Sequence, residues 1–261
     1  MSARKILIKL GGTLLDAEES RLRLAREITQ AAEQAAIVVV HGGGKQMTRF
    51  LAERGIESRF VNGLRVTTPE VLDAVVKVFA GSVNAQLVTA FRAVGAQPVG
   101  LTGLDAGLVD AEPLNPELGH VGRPVHSDAR VLEVLTEENF LPVVACVAGD
   151  AHGAVYNVNA DQMAVACAAS FGARKLLFLT DVEGVRDGQG RTLETLTASD
   201  ATELIRKGVA TGGMQAKLEA AISALQKGVE EVIIASGARL GIVASLLTGE
   251  PIGTRLMRTA C

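Results

Sequence analysis

A chain of 261 residues, 48% of them hydrophobic, is long enough to bury one large α/β core or two lobes on a shared sheet. A formal charge of −3, the absence of Trp and a single Tyr exclude the broad basic, aromatic-studded surface that nucleic-acid binding requires, and favour small-molecule partners. Cys146, Cys167 and Cys261 are odd in number and lack CxxC spacing, which excludes a disulfide framework and a zinc site.

The chain opens directly on an apolar strand, Ile6 to Leu10, without the apolar stretch of a leader. Ile37 to Val40 is a second run of this kind, and both end in glycines and adjoin a helical pattern. Gln97 to Leu101, Leu141 to Ala145, Lys175 to Thr180 and Val232 to Ala235 continue the series. Helical patterns fall around residues 18–35, 45–54, 127–138, 160–171, 199–207 and 213–227. Strands alternating with helices predict an α/β fold: a three-layer sandwich with a continuous, mainly parallel central sheet. No apolar run approaches the roughly 20 residues that cross a bilayer, so a cytoplasmic protein without membrane partners is expected.

A further helix starts at Thr68, which can cap it, with Pro69 in the first turn, and carries apolar residues as far as Phe91. Its apolar surface is wider than one core-facing stripe, which fits either complete burial or a subunit interface. Polar, glycine-bearing segments at 102–125, 149–156 and 185–192 read as loops able to cover a ligand, the last with a hairpin tip at Asp187-Gly188-Gln189-Gly190. No linker divides the chain. A boundary near Gly172 separates an N-terminal lobe, 1–172, from a C-terminal lobe, 173–261.

Gly11-Gly12 and His41-Gly42-Gly43-Gly44 each follow a strand and precede a helical pattern, so their amides can face an anion at the carboxyl edge of the sheet. Neither forms a Walker A loop or a GxGxxG fingerprint, and the protein-kinase signatures are missing. Lys9 stands just before the first glycine pair, Lys217 lies four residues beyond Gly212-Gly213, and Asp161 closes Asn157-Val158-Asn159-Ala160-Asp161. Each has an ordinary alternative: an edge lysine, a solvated helix lysine, a helix cap. Together, two glycine-flanked cations and a carboxylate suit phosphoryl transfer, which needs anionic oxygens neutralised more than a nucleophile activated. Arg65, in Asn62-Gly63-Leu64-Arg65-Val66-Thr67, could take a carboxylate bidentately. The four histidines have no ligand spacing, so no metal cage is assigned, and Mg2+ is expected to arrive with a nucleotide.

These blocks, with Leu179-Thr180-Asp181-Val182-Glu183-Gly184-Val185, resemble the amino-acid kinase superfamily, and within it the acetylglutamate kinase family, from Ile6 to about Arg255. The resemblance implies ATP-dependent phosphorylation of the γ-carboxylate of N-acetyl-L-glutamate in arginine biosynthesis. It implies that Lys9 and Lys217 stabilise the phosphoryl group in flight while Asp161 holds the lysines. Gly43, Gly44, Arg65, Asn157 and Asn159 would bind N-acetyl-L-glutamate. ATP would meet Gly11, Gly12, Asp181, Val182, Glu183, Gly184, Val185 and Arg186, and also Val209, Ala210, Thr211, Gly212, Gly213, Met214 and Lys217. The N-terminal lobe would then hold the amino acid and the C-terminal lobe the nucleotide.

The match departs at Lys45, where proline often follows the glycine triplet, and at Gln215-Ala216, where an apolar-proline pair is common. The short lead into the first strand resembles the arginine-insensitive homodimeric type, with Pro69 to Phe91 as the interface. A kinase of carrier-linked aminoadipate and a non-catalytic amino-acid sensor are the competing readings.

Overall fold

The computed structural model describes residues 4–258, so Cys261 lies outside it. Fourteen strands run in chain order: β1 (Arg4–Leu10), β2 (Ala35–His41), β3 (Phe60–Val61), β4 (Leu64–Arg65), β5 (Pro98–Thr102), β6 (Val109–Pro113), β7 (Val121–Ser127), β8 (Leu141–Ala145), β9 (Val147–Gly149), β10 (Val155–Val158), β11 (Lys175–Thr180), β12 (Thr195–Leu196), β13 (Glu231–Ser236) and β14 (Thr254–Met257). Eight of them form one sheet in the order β12-β14-β13-β11-β1-β2-β8-β5. Within it only the β13–β14 pairing is antiparallel. β1 and β11 pair directly, so the sheet runs without interruption across Gly172.

The inner strands are buried on both faces, which is why they read as unbroken apolar runs rather than as alternating ones. The helices are α1 (Glu18–Ala32), α2 (Gly44–Ala52), α3 (Pro69–Val75), α4 (Asn84–Ala93), α5 (Arg130–Glu137), α6 (Ala160–Phe171), α7 (Ala198–Arg206), α8 (Gly212–Gln226) and α9 (Ile242–Thr248). Packing of α1 on α4 and α9 makes one outer layer, and α5, α6 and α8 make the other. Phe91, Phe171 and Phe178 are fully buried between the layers. α6 is buried nearly all round, which its small side chains permit. Asn159 caps its start, and Gly172, at φ 68°, ends it in the left-handed conformation.

α3 and α4 are joined by a π-helical stretch, Val76–Val83, into one continuous helix of 25 residues, Pro69–Ala93. As expected, Thr68 caps it through the Val71 N–H. By length and composition this helix could cross a membrane, contrary to the reading from uninterrupted apolar runs. Here its buried residues, among them Val75, Phe79, Leu87 and Phe91, pack on the chain's own core.

The segments 102–125 and 149–156 are not simply loops. They contribute β6, β7 and part of β10, which with β9 close into a small four-stranded barrel beside the main sheet. Short, partly polar strands interrupted by a bulge between Asp110 and Ala111 lack the apolar periodicity by which a strand is recognised. The tip at residues 187–190 does turn a hairpin, closed by an Arg186–Thr192 bridge.

The antiparallel strand β14 enters the sheet through Gly253, whose φ is 75° and whose missing Cβ leaves room for the Ile234 carbonyl and Ala235. Gly253→Ala is expected to cost about 1–3 kcal/mol. Urea unfolding should show a lower midpoint with an unchanged slope; an unchanged midpoint would mean that this approach is not tight.

Candidate active site

At the carboxyl edge of the sheet, β1 lies between β2, to which the chain runs first, and β11, to which it returns later, so a crevice opens there. Lys9, next to last on β1, is flanked by Val40 and Phe178. α6 packs on β1 and on α8, which carries Asp161 from its first turn, and Lys217 from the second turn of α8, to the same point. Lys9 Nζ stands 2.7 Å from Asp161 Oδ1, and Lys217 Nζ stands 3.3 Å from Oδ2. One carboxylate thus holds two ammonium groups, one on each oxygen.

Asp161 is 5% exposed and Lys9 6%. Burial alone would raise the Asp161 pKa, but the two ammonium groups more than offset it and hold the carboxyl below its usual range. The three side chains line a cavity of about 220 Å³ together with Asn62, Gly63, Leu64, Asn159, Ala160, Gly212, Gly213 and Ala216. The N-termini of α6 and α8 both open into it and add positive field, and α8, which has no side-chain cap, adds open amides. A larger open hollow of about 490 Å³ lies between α7 and α8. Its carboxylates Asp200 and Glu203 are taken by Thr197 and Arg206, and no cation lines it.

The residues expected to meet the amino acid fall into two groups. Gly43 and Gly44 begin α2, which forms without a proline in its first turn. A Cβ on Gly43 would come within 2.9 Å of Phe79, so only glycine fits. Arg65 reaches this loop: Nη2 donates to Thr48 Oγ1 at 2.8 Å and to the Gly44 carbonyl at 3.4 Å, and the guanidinium stacks 4.6 Å over Phe60. Arg65 is 9% exposed and its Nη1 is buried without a partner. Burial draws its pKa below the usual guanidinium value, and no carboxylate among the described residues pairs with it.

The two asparagines are engaged differently. Asn157 donates to Thr67 Oγ1 at 3.0 Å, whereas Asn159 caps α6, its Oδ1 accepting from the Asp161 and Gln162 amides. Only the Asn159 Nδ2 end is left for a ligand.

Of the residues expected against a nucleotide, Gly212, Gly213 and Lys217 line the cavity. Thr211 and Val209 are exposed beside it in sequence, Met214 is half-buried and Ala210 is buried. α8 begins at Gly212 and runs through Gln215-Ala216 without a proline. The Gly11 amide is already spent on the Leu179 carbonyl at 2.8 Å, while a Cβ on Gly12 would crowd the Gly44 amide at 3.2 Å. Asp181, Glu183 and Arg186 are exposed and Val182 is half-buried. Gly184 and Val185 are buried against the Thr254 hydroxyl, which accepts from the Val185 amide.

Several residues in and around the cavity, Leu64 and Ala160 among them, were not assigned from the sequence. Asn62-Gly63 turns the β3–β4 hairpin over the cavity with φ of 50° and 78°, and the Asn-Gly pair between two extended segments is the signal that could have found it. Ala216 needs the helix register of α8. Thr67 and His41 are fully buried polar residues that no local pattern distinguishes from a core position. Burial pushes the His41 pKa down to about 4, only partly offset by its bond to Gly42.

Residues 4–236 match the profile described as the amino acid kinase family, and the chain belongs to that family. It is 58% identical over 256 residues to the acetylglutamate kinase of Solibacter usitatus, covering 97% of this chain and 99% of that one. To the acetylglutamate kinase of Bartonella tribocorum it is 40% identical over 268 residues, covering 97% and 89%. Within the family it therefore falls with the acetylglutamate kinases. A crystal structure of N-acetylglutamate synthase from Neisseria gonorrhoeae, complexed with coenzyme A and N-acetyl-glutamate, superposes with a TM-score of 0.88 at 25% identity, over 99% of this chain and 60% of that one.

Because the Asp161 pKa is depressed on folding, its ion pairs contribute fully above the unfolded value of about 3.9, and that contribution is lost as pH falls through the folded value. Asp161→Asn leaves two cations unpaired and is expected to lose about 3 kcal/mol at neutral pH. Its stability should then fall less steeply than that of the wild type on acidification below about pH 3.9. Urea unfolding across a pH series checks this, and parallel acid limbs would sink it.

Proposed function

We infer that the chain phosphorylates the γ-carboxylate of N-acetyl-L-glutamate with ATP, the step its relatives' name describes, and that Lys9, Lys217 and Asp161 carry the chemistry. One observation supports the assignment of residues above the rest: two ammonium groups share one buried carboxylate in a cavity roofed by the hairpin that carries Arg65, a buried arginine with no paired carboxylate among the described residues. The γ-carboxylate is ionised at neutral pH, so no base is needed to make it a nucleophile. Its oxygen forms a bond to the γ-phosphorus as the bond from that phosphorus to the β–γ bridging oxygen breaks, releasing ADP and an acyl phosphate.

Both reactants are anionic, and their repulsion at contact is on the order of several kcal/mol at an effective dielectric near 20. Lys9 and Lys217 offset that charge where it gathers, while Asp161 fixes their positions. The Arg65 guanidinium, held flat by Phe60 and Thr48, is oriented to take the α-carboxylate through Nη1. Gly43, Gly44, Asn157 and Asn159 complete the amino-acid side. Gly212, Gly213 and the segments 181–186 and 209–214, with Gly11 and Gly12, take the nucleotide side. Residues 1–172 serve as the amino-acid lobe and 173–261 as the nucleotide lobe.

Among the described residues no group of three or more His, Cys, Asp or Glu side chains could hold a metal, and Asp161 is already engaged. The protein side chains do not form a cage for Mg2+, which enters as part of the MgATP substrate. A cytoplasmic homodimer fits the Pro69–Ala93 helix, whose outward face presents Val76 and the small residues Gly81 and Ala85.

Lys9→Ala and Lys217→Ala should each lower kcat about 10²–10³-fold without unfolding the protein. Arg65→Ala should act mainly on KM for N-acetylglutamate and leave KM for ATP near its wild-type value. ADP release and hydroxamate trapping with N-acetylglutamate, glutamate, aspartate and aminoadipate measure both effects. Unchanged turnover in either lysine variant would remove it from the mechanism, and equal rates with all four acids would overturn the substrate.

A further inference from the structure

His41 is the last residue of β2 and is 0% exposed, yet it is polar and no step above uses it. Its Nδ1 lies 2.8 Å from the carbonyl oxygen of Gly42, and its Nε2 lies 3.0 Å from Asn84 Nδ2. Asn84 Nδ2 also reaches the Val143 carbonyl at 2.9 Å. A carbonyl can only accept, so the Asn84 amide nitrogen is correctly placed there, and its second proton goes to His41. Nε2 is therefore the acceptor and Nδ1 carries the imidazole proton, donated to Gly42.

That bond has a consequence across the next peptide. The described residues contain no cis peptide, so the Gly42 carbonyl and the Gly43 N–H point in opposite directions. With the carbonyl drawn into the core, the Gly43 N–H is turned away from His41. Gly43 is buried, and its amide has no acceptor among the described residues. A buried N–H left open is rare and calls for a partner. The neighbouring Gly44 carbonyl is the one Arg65 reaches, and the neighbouring Gly44 amide faces Gly12, so the open donor sits with the other anion-seeking groups.

The long helix reinforces this arrangement. Its π-helical stretch brings Phe79 and Val83 against Gly43 and ends where Asn84 meets His41, and such stretches recur where a side chain must be re-aimed. Asn84 in turn occupies the space that a Cβ on Gly100 would fill.

We propose that His41, backed by Asn84, is a positioning residue that fixes the Gly42–Gly43 peptide so that the Gly43 N–H is presented to the bound amino-acid substrate. This rests on the reading of Gly43 as a substrate contact, and it adds a determinant of affinity from within the core. It involves no proton transfer.

Two substitutions separate the two ends of the imidazole. Asparagine at 41 places an amide near the Nδ1 position and can still donate to Gly42, whereas glutamine places it near Nε2 and can only meet Asn84. His41→Gln should raise KM for N-acetylglutamate about tenfold while His41→Asn stays within about threefold of wild type, and KM for ATP should hardly move in either. Both lose the ring from the core and asparagine leaves the larger cavity, so a merely structural role predicts His41→Asn to be at least as damaging as His41→Gln. Equal shifts, a larger shift in His41→Asn, an unchanged His41→Gln, or KM values for both substrates rising together would overturn the proposal.

The wild-type protein supplies a second measurement should either variant fail to fold. Its nitrogen NMR spectrum should show the Nδ1–H tautomer at His41 and a Gly43 amide signal that moves on adding N-acetylglutamate. An Nε2–H tautomer rules the positioning role out. A silent Gly43 signal in an enzyme that turns over N-acetylglutamate rules out Gly43 as the contact and leaves the activity standing.

Discussion

The structure depends on a carboxylate that would be costly to bury alone. Asp161 is almost wholly enclosed, and only the ammonium groups on its two oxygens make its charge tolerable there. The converse also holds. Lys9 and Lys217 repel each other, and Lys9, on the buried central strand, could not be held charged there without Asp161. Elements far apart in sequence must therefore meet at one point: β1 in the centre of the sheet, α6 packed across it, and α8 packed on α6. The parallel sheet, whose strand order reverses at β1, provides that meeting place, because several strand ends and helix starts converge on one edge.

The glycines follow from the same demand for close approach. The loops after β1 and β2 run against each other, Gly12 beside the Gly43–Gly44 peptide, and a side chain at either would push the amides away from any anion between them. Gly43 meets a second constraint from Phe79 and Val83 on the long helix. The loop is thus held from the core side by His41, from the helix side by apolar packing, and from the hairpin side by Arg65. A site held on three sides needs little reordering when a ligand arrives, which keeps binding free energy available for the reaction.

What could be read from the sequence divides along physical lines. Strands buried on both faces are apolar throughout, so β1, β2, β8, β11 and β13 were recognisable within a residue or two, as were α2, α6, α7 and α8, while α1 and α5 each miss by three residues at one end. The small barrel was not, because its strands are short and half-polar and get their order from one another rather than from a shared core. Lys9, Asp161 and Lys217 stood out by their glycine and asparagine neighbours, and the fold brings them together. Asn159 illustrates a limit: the same Asn-x-Asn-Ala-Asp stretch that suggests a ligand also caps α6, and the cap consumes its acceptor oxygen. His41 and Asn84 lie 43 positions apart, and their bond exists only in three dimensions.

The charges of the site are those the proposed dianionic ligands require. Lys9, Lys217 and Arg65 carry three positive charges, and Asp161 returns one negative. Among the described residues Arg65 Nη1 and the Gly43 amide are donors without acceptors. The lysine pair in the cavity and the buried guanidinium on its β3–β4 hairpin thus leave an excess of positive charge and open donors, which opposes folding. On the function proposed above, an amino acid with two carboxylates, together with the phosphates of a nucleotide, would satisfy both deficits at once. Ligands that fill the site must then stabilise the folded state by mass action, each by an amount set by its concentration over its Kd. On that proposal the same imbalance would give selectivity: a neutral or singly charged analogue would leave either the guanidinium or the lysine pair unmet, and a buried donor left unpaired costs more than the contact it would have made.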